Sequence, residues 1–420
     1  MNIAMDMLCR IFSRALDVIE GEQIGASDRH SMRVSALCAA MGKRLGYDGD
    51  ALSALATCAL FHDNALTEYH LSEKELSENG KNMLLHCEKG QNNVSWLPFK
   101  KSTEGFVLYH HERGNGSGPF GKKEGEFPLE AALLAAADSV DAIFQLQHVD
   151  ESRLPALREE ISAQPNKYAT QLAVNVLVEI LDDVMLESLR DENIYQTLER
   201  NLPRWEVDVC DSAVFSIAGF IAHVIDFKSE FTRKHTSQIA NRAWVMANYY
   251  GYSQEERAAL YLAASLHDIG KIVTPTTILE KPGKLDADEF QIIKGHVRQT
   301  NDWLSEIPNF GLIRNWAADH HEKLSGSGYT FGKKDNELDF NARLVACLDI
   351  YQAVCEPRPY HDARSHTETM AILYDMADKG LIDIKIVKDL DEVMDEYSMR
   401  DVPAPSHTMD LTENLKGGIA

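Results

Sequence analysis

The side chains that could do chemistry in the C-terminal half are His235, the pair His267-Asp268, His296, the pair His320-His321, and Asp349. Neutral imidazole and carboxylate together suit iron, manganese, zinc or cobalt. Seven nitrogen and oxygen donors are too many for one ion that must also leave room for water, so a dinuclear site fits the set better. Adjacent side chains on a helix diverge by ~100°, which lets His320 and His321 both line a two-metal pocket. Two ions ~3.5–4 Å apart can bridge a hydroxide and clamp the attacking and leaving oxygens of a phosphodiester. Hydrolysis is the reaction implied.

A histidine met alone is best read as a hydrogen-bonded core or surface residue. Repetition argues against that here. The same residue types recur in the same order as His30, His62, Asp63, His86, His110, His111 and Asp138. Residues 28–63 match 233–268 at a constant offset of 205 through the His, the Gly-Tyr and the terminal His-Asp. YHHERGNGSGPFGKK (109–123) answers DHHEKLSGSGYTFGKK (319–334), and AALLAAADSVDAIF (131–144) answers ARLVACLDIYQAV (342–354). The chain reads as two copies of one domain.

The elements that must hold these side chains are helices. Apolar residues recur at three- and four-residue spacing, β-branched alternating runs are scarce, and the fold class expected is all-α. Ser253 with Glu256 makes a capping box for the helix that ends at His267-Asp268, and Asp286 with Glu289 starts the helix running to His296. Breakers at Pro155 and Pro165 interrupt the helical patterns of 150–200, and Pro203 precedes the second copy. A linker near 200–212 divides the chain into domains 1–205 and 206–420.

Length and composition agree. At roughly 150 residues per domain, 420 residues predict two or three domains. A chain that is 44% hydrophobic and 25% charged is an ordinary globular protein, not a disordered or coiled-coil one. With 42 Lys and Arg against 65 Asp and Glu, the net charge of −23 repels phosphodiester backbones and anionic lipid, which argues against duplex nucleic acid and membrane as partners. The most apolar stretch, Ala213 to Ile225, is broken by Ser216, Gly219 and His223 and falls short of the ~20 residues that cross a bilayer. The N-terminal amphipathic segment carries Asp6, Asp17 and Glu20, unlike a secretory leader, so a cytoplasmic location is expected. Seven cysteines without CxxC spacing read as small core residues in a reducing compartment, with neither disulfides nor zinc knuckles. SGSGYTFG (325–332) lacks the strand that a phosphate-binding P-loop requires. The acidic run 389–401 reads as a solvated helix face.

HDIGKIVTPTTILEKPGKLDADEF (267–290), HHEKLSGSGYTFG (320–332), ARLVACLDIYQAV (342–354) and RPY (358–360) stand in the order of the motifs of the HD-GYP family. The second copy resembles that family of metal-dependent phosphodiesterases, which open cyclic dinucleotides such as c-di-GMP. The resemblance implies that His235, His267, Asp268 and Asp349 hold one divalent ion, iron or manganese, and that Asp268 bridges to a second held by His296, His320 and His321. It implies that Asp268 and Lys271 carry catalysis, with Lys271 on the substrate phosphate, and that Tyr329, Arg343 and Arg358 meet the substrate.

Three departures stand out. The GYP signature reads Gly328-Tyr329-Thr330, so the proline that stiffens the loop is missing. Phe231 stands where some members carry the glutamate of a third metal, with Glu230 one residue off, and His361 follows RPY in place of a basic residue. The first copy keeps the ligand types but has Leu66 for Lys271, Ala132 for Arg343 and Pro119 for the Tyr329-Thr330 pair. It also lacks the ILEKPGKL loop and the RPY segment. The expected partner is a cyclic dinucleotide, c-di-GMP or a cyclic GMP-AMP, with a homodimer or a signalling protein as candidate protein partners. The rival reading is a non-catalytic cyclic-dinucleotide-binding signalling protein. For the first copy the readings are a metallated structural or regulatory domain, or a 5′-nucleotidase-like phosphatase.

Overall fold

The computed structural model describes residues 2–23, 29–66, 80–224, 235–281, 283–356 and 363–395. Among these the chain is all-α, and its strands are the short Asn2–Ala4 and Glu206–Asp208, which pair with each other. Among the described residues no helix is long and apolar enough to cross a membrane. The chain divides into two compact units, one of Ile3–Val207 and the other of Asp208–Ala222 with the described residues from His235 onward.

In the first unit His30–Arg44 packs on Gly49–Leu60, and in the second His235–Tyr249 packs on Gln254–Leu266. The Gly-Tyr of the repeat builds the corner between each pair. Gly46 and Gly251 adopt φ of 84° and 67°, a left-handed conformation that favours glycine. The next amides, of Tyr47 and Tyr252, donate to the Gly42 and Ala247 carbonyls at 2.9 and 3.0 Å, closing a Schellman motif in both copies. Each tyrosine then ties the corner to the first turn of a third helix. Tyr47 donates to Glu130 at the start of Leu129–Phe144, and Tyr252 donates to Asn341 at the start of Phe340–Cys355. Those third helices carry Asp138 and Asp349.

The middle helices are buried on every side, from Leu52 to Leu60 and from Ala258 to Leu266. Alanines at 54, 56, 59, 258, 259, 263 and 264 let their neighbours approach closely. Each of these helices runs out at its His-Asp pair. The capping boxes Ser253/Glu256 and Asp286/Glu289 are both present and fix where the helices Gln254–Leu266 and Ala287–Ser305 begin.

Candidate metal centres

In the second unit all seven donors converge. Nε2 of His267 lies 3.1 Å from Oδ2 of Asp268, and Nε2 of His296 and of His320 lie 3.3 and 3.6 Å from its Oδ1. Asp349 faces the same space, with Oδ1 3.2 Å from Nε2 of His235 and Oδ2 3.5 Å from Nδ1 of His321. Two donor groups therefore meet across Asp268, one of His235, His267 and Asp268 and one of His296, His320 and His321.

The local fold aims these rings. Nδ1 of His267, His296 and His320 each donates to the carbonyl three residues earlier, of Ala264, Ile293 and Ala317, at 2.8, 2.6 and 2.6 Å. That bond fixes the tautomer and leaves the Nε2 lone pair directed inward, as a metal ligand requires. Nε2 of His267 and Oδ1 of Asp268 are buried without a hydrogen bond, so a cation between the side chains would satisfy both. Burial and the neighbouring rings of His321 and His267 hold His320 well below the usual imidazole range, and burial lowers His321 to about 4, so both are neutral donors near pH 7. Burial also works against charge on Asp268 and Asp349, yet the surrounding imidazoles, with Lys271 beside Asp268, hold both carboxyls far below the carboxylate range. The residues fit the binding of metal.

Lys271 sits on the turn Ile269–Val273 and pairs its ammonium with Oδ2 of Asp268. Tyr329 lies against His321, with ring centres 4.7 Å apart. Arg343 is not brought to the cluster, contrary to the expectation of a substrate contact. Its guanidinium is held by the Leu338 and Asp335 carbonyls and by the Asp335 and Asp383 carboxylates, at 2.6 to 3.2 Å, and it ties the third helix to its surroundings. Arg358, with Glu230, Phe231 and His361, lies outside the described residues.

The first unit repeats the arrangement. His62 and His86 lie 3.1 and 3.3 Å from the oxygens of Asp63, and His30 lies 3.2 Å from Asp138. His110 and His111 approach Asp63 and Asp138 at 3.8 and 3.9 Å. Leu66 keeps the turn of Lys271, its amide donating to Asp63 as that of Lys271 does to Asp268, but its side chain is buried and uncharged.

Several residues of the site escape a search for ligand types. Glu356 accepts from Nδ1 of His235 at 3.0 Å, and Asp141 plays that part for His30 at 2.7 Å. Glu322 receives the amides of Phe331 and Gly332, and Glu112 those of Phe120 and Lys122, which folds each loop back over its His-His pair. Gly328 and Gly118 pass so close that a Cβ there would lie 2.5 and 2.6 Å from the Cα of that glutamate. This HHE-x5-G spacing is visible in both halves of the repeat. Lys294 stands over the half-exposed Phe290 ring at 4.5 Å and over Tyr329 at 5.2 Å, beside the second cluster.

A family model described as HD domain matches residues 19–156 and again 220–386. The chain is 27% identical over 92% of its length to 3′3′-cGAMP-specific phosphodiesterase 1 of Vibrio cholerae, of which 90% is covered. It is 35% identical over 37% of its length to the cyclic di-GMP phosphodiesterase response regulator RpfG of Xanthomonas campestris, of which 41% is covered. The solved structure of a V. cholerae cyclic GMP-AMP specific phosphodiesterase, V-cGAP3, has the same fold, with a TM-score of 0.63 over 94% of this chain and 98% of that one, at 22% identity. With two family matches falling on two helical units, each built around a converging His/Asp cluster, the chain belongs to the HD domain family, as a tandem member of its HD-GYP branch.

Proposed function

We propose that the second copy hydrolyses a cyclic dinucleotide, 3′3′-cGAMP or c-di-GMP, to a linear dinucleotide or mononucleotides. The observation that carries this reading is Asp268, which stands between two groups of imidazoles with the ammonium of Lys271 on one oxygen. The names of the relatives support the substrate class.

His235, His267, Asp268 and Asp349 would hold one ion, and Asp268, His296, His320 and His321 the other. Iron and manganese suit such mixed imidazole and carboxylate sets. When bound, such a pair supplies an activated water and neutralises phosphodiester charge. The protein's own groups do the rest. The carbonyl-anchored imidazoles keep the donor array from reorganising. Lys271 can exchange its Asp268 oxygen for a phosphate oxygen and meet the charge that develops on the leaving side. Tyr329 and Phe290 offer ring faces for a base to stack on, and Lys294 between them offers a cation for the second phosphate. Arg358 is assigned to a guanine edge or phosphate, which a planar guanidinium can fork.

The boundary near residue 205 separates this enzyme from a companion domain whose complete ligand set supports metal binding. The buried Leu66 in place of Lys271 supports a structural or regulatory part for that domain over cyclic dinucleotide cleavage. Seven free cysteines, five of them buried, favour a reducing, cytoplasmic setting. The test is chromatography of products after the purified, metal-loaded protein meets a panel of cyclic dinucleotides. A linear product from 3′3′-cGAMP or c-di-GMP is expected. Tight binding of a cyclic dinucleotide with no product would mark a signalling receptor instead.

A further inference from the structure

The helix Gly80–Val94 brings a thiol to the first copy's cluster. Sγ of Cys87 and donor atoms of His86, His110 and His111 all lie within 4.8 Å of one another. Cys87, His86 and His110 are buried, and Nε2 of His86 faces Nε2 of His110 at 3.4 Å, two nitrogens that a cation between them would satisfy. His30, His62 and Asp63 form the neighbouring group, so the thiol joins one subsite and not the other.

The second copy differs at this point. Its corresponding group is His296, His320 and His321, and the residue after His296 is Val297, as buried as Cys87. Valine donates nothing, which leaves a coordination position for water or phosphate, the open place a hydrolytic centre needs. A thiol in the same place can close it. Three imidazoles and one thiolate are a set that zinc takes tetrahedrally, with bonds of ~2.0–2.3 Å. Thiolate also turns selectivity away from manganese, which prefers oxygen donors.

We propose that Cys87 is a metal ligand and that, with His86, His110 and His111, it makes a closed, thiolate-containing site for a zinc-like ion in the first copy. On binding, the thiol gives its proton to solvent and the sulfur donates its pair to the ion. The site is structural, consistent with the absence there of a counterpart to Lys271. This inference rests on metal binding by the first copy and is independent of what the second copy hydrolyses.

The test loads the full-length protein with cobalt(II) and records its absorption. Wild type should show a near-ultraviolet thiolate-to-cobalt charge-transfer band, and Cys87→Val, which installs the second copy's residue, should lose it. Zinc retention against a chelator should fall at least about tenfold in the same variant. Cys87→Ser provides a second variant with the same readout, and thermal melting of each reports its folding. A wild-type protein without the band, or a band that survives both substitutions, would overturn the assignment. Either result leaves cyclic dinucleotide hydrolysis by the second copy standing, because product chromatography tests that separately.

Discussion

Around their clusters the two copies match in three of the donor contacts, differ by a few tenths of an ångström at the His-His pair, and part company in several of the groups just outside. The distances from the His of the His-Asp pair to its own Asp, from the next His to that Asp, and from the first His to the distant Asp are 3.1, 3.3 and 3.2 Å in both. Yet His30 is oriented by Asp141, itself bound to the buried Arg33, whereas His235 is oriented by Glu356. Gln238 and Gln352 stand at the positions of Arg33 and Asp141, and they bond to Arg242 and Glu356 where the first copy has a buried ion pair. The close crossing behind the cluster is solved in opposite ways. In the second copy Gly270 yields, and Thr300 Oγ1 bridges the Gly270 amide and the His267 carbonyl at 3.0 and 3.1 Å. In the first, Ala65 stands where Gly270 does and the partner helix yields at Gly90. A donor array can thus keep its plan while the groups that support it, and the lysine beside it, are exchanged.

Removing Asp268 tests the comparison most severely. Asp268→Ala strips a donor from both groups and should cut cyclic dinucleotide turnover more than about a thousandfold, while Asp63→Ala leaves it within about twofold. Product chromatography with metal analysis decides, and equal losses would mean that the copies form one active unit. Installing the first copy's residue in the second, Lys271→Leu, should lower kcat about a hundredfold with metal content unchanged, measured by steady-state kinetics. Gly270→Ala would set a Cβ 2.1 Å from the His296 carbonyl and should cost about 2–3 kcal/mol in denaturant unfolding. Adding Thr300→Gly, the first copy's arrangement, should return part of that loss in a double-mutant cycle. Lys294→Ala should raise KM for a cyclic dinucleotide about tenfold with kcat little changed, since a cation beside stacked rings acts in binding. The smallest effect belongs to Arg343→Ala, which should cost about 1 kcal/mol of stability and leave KM within about twofold. A large rise in KM would return Arg343 to the substrate.

The convergence of these histidines and aspartates was legible because they are chemically rare types, repeated in order. The helices were legible because their apolar periods and capping boxes are local. Arg343 misled for the opposite reason. The resemblance assigned it to the substrate by its place in a motif, and only the fold shows that Asp335 and Asp383 reach it first. Glu356 and Asp141 were hidden because they lie seven and three residues after the matched aspartates, so no alignment of the copies pairs them. Cys87 was hidden by its company, since a cysteine among apolar helical residues looks like core until the histidines beside it are placed in space.

The clasp between Glu322 and the loop that ends at Gly332 has a bearing on how such chains are found. Stiffness that a proline would impose through one dihedral angle is here imposed by a carboxylate receiving two amides and by a glycine with no room for a side chain. A pattern written around that proline would pass over both halves of this molecule. Written instead as His-His-Glu, five variable residues and a glycine, it would retrieve both, the divergent half included.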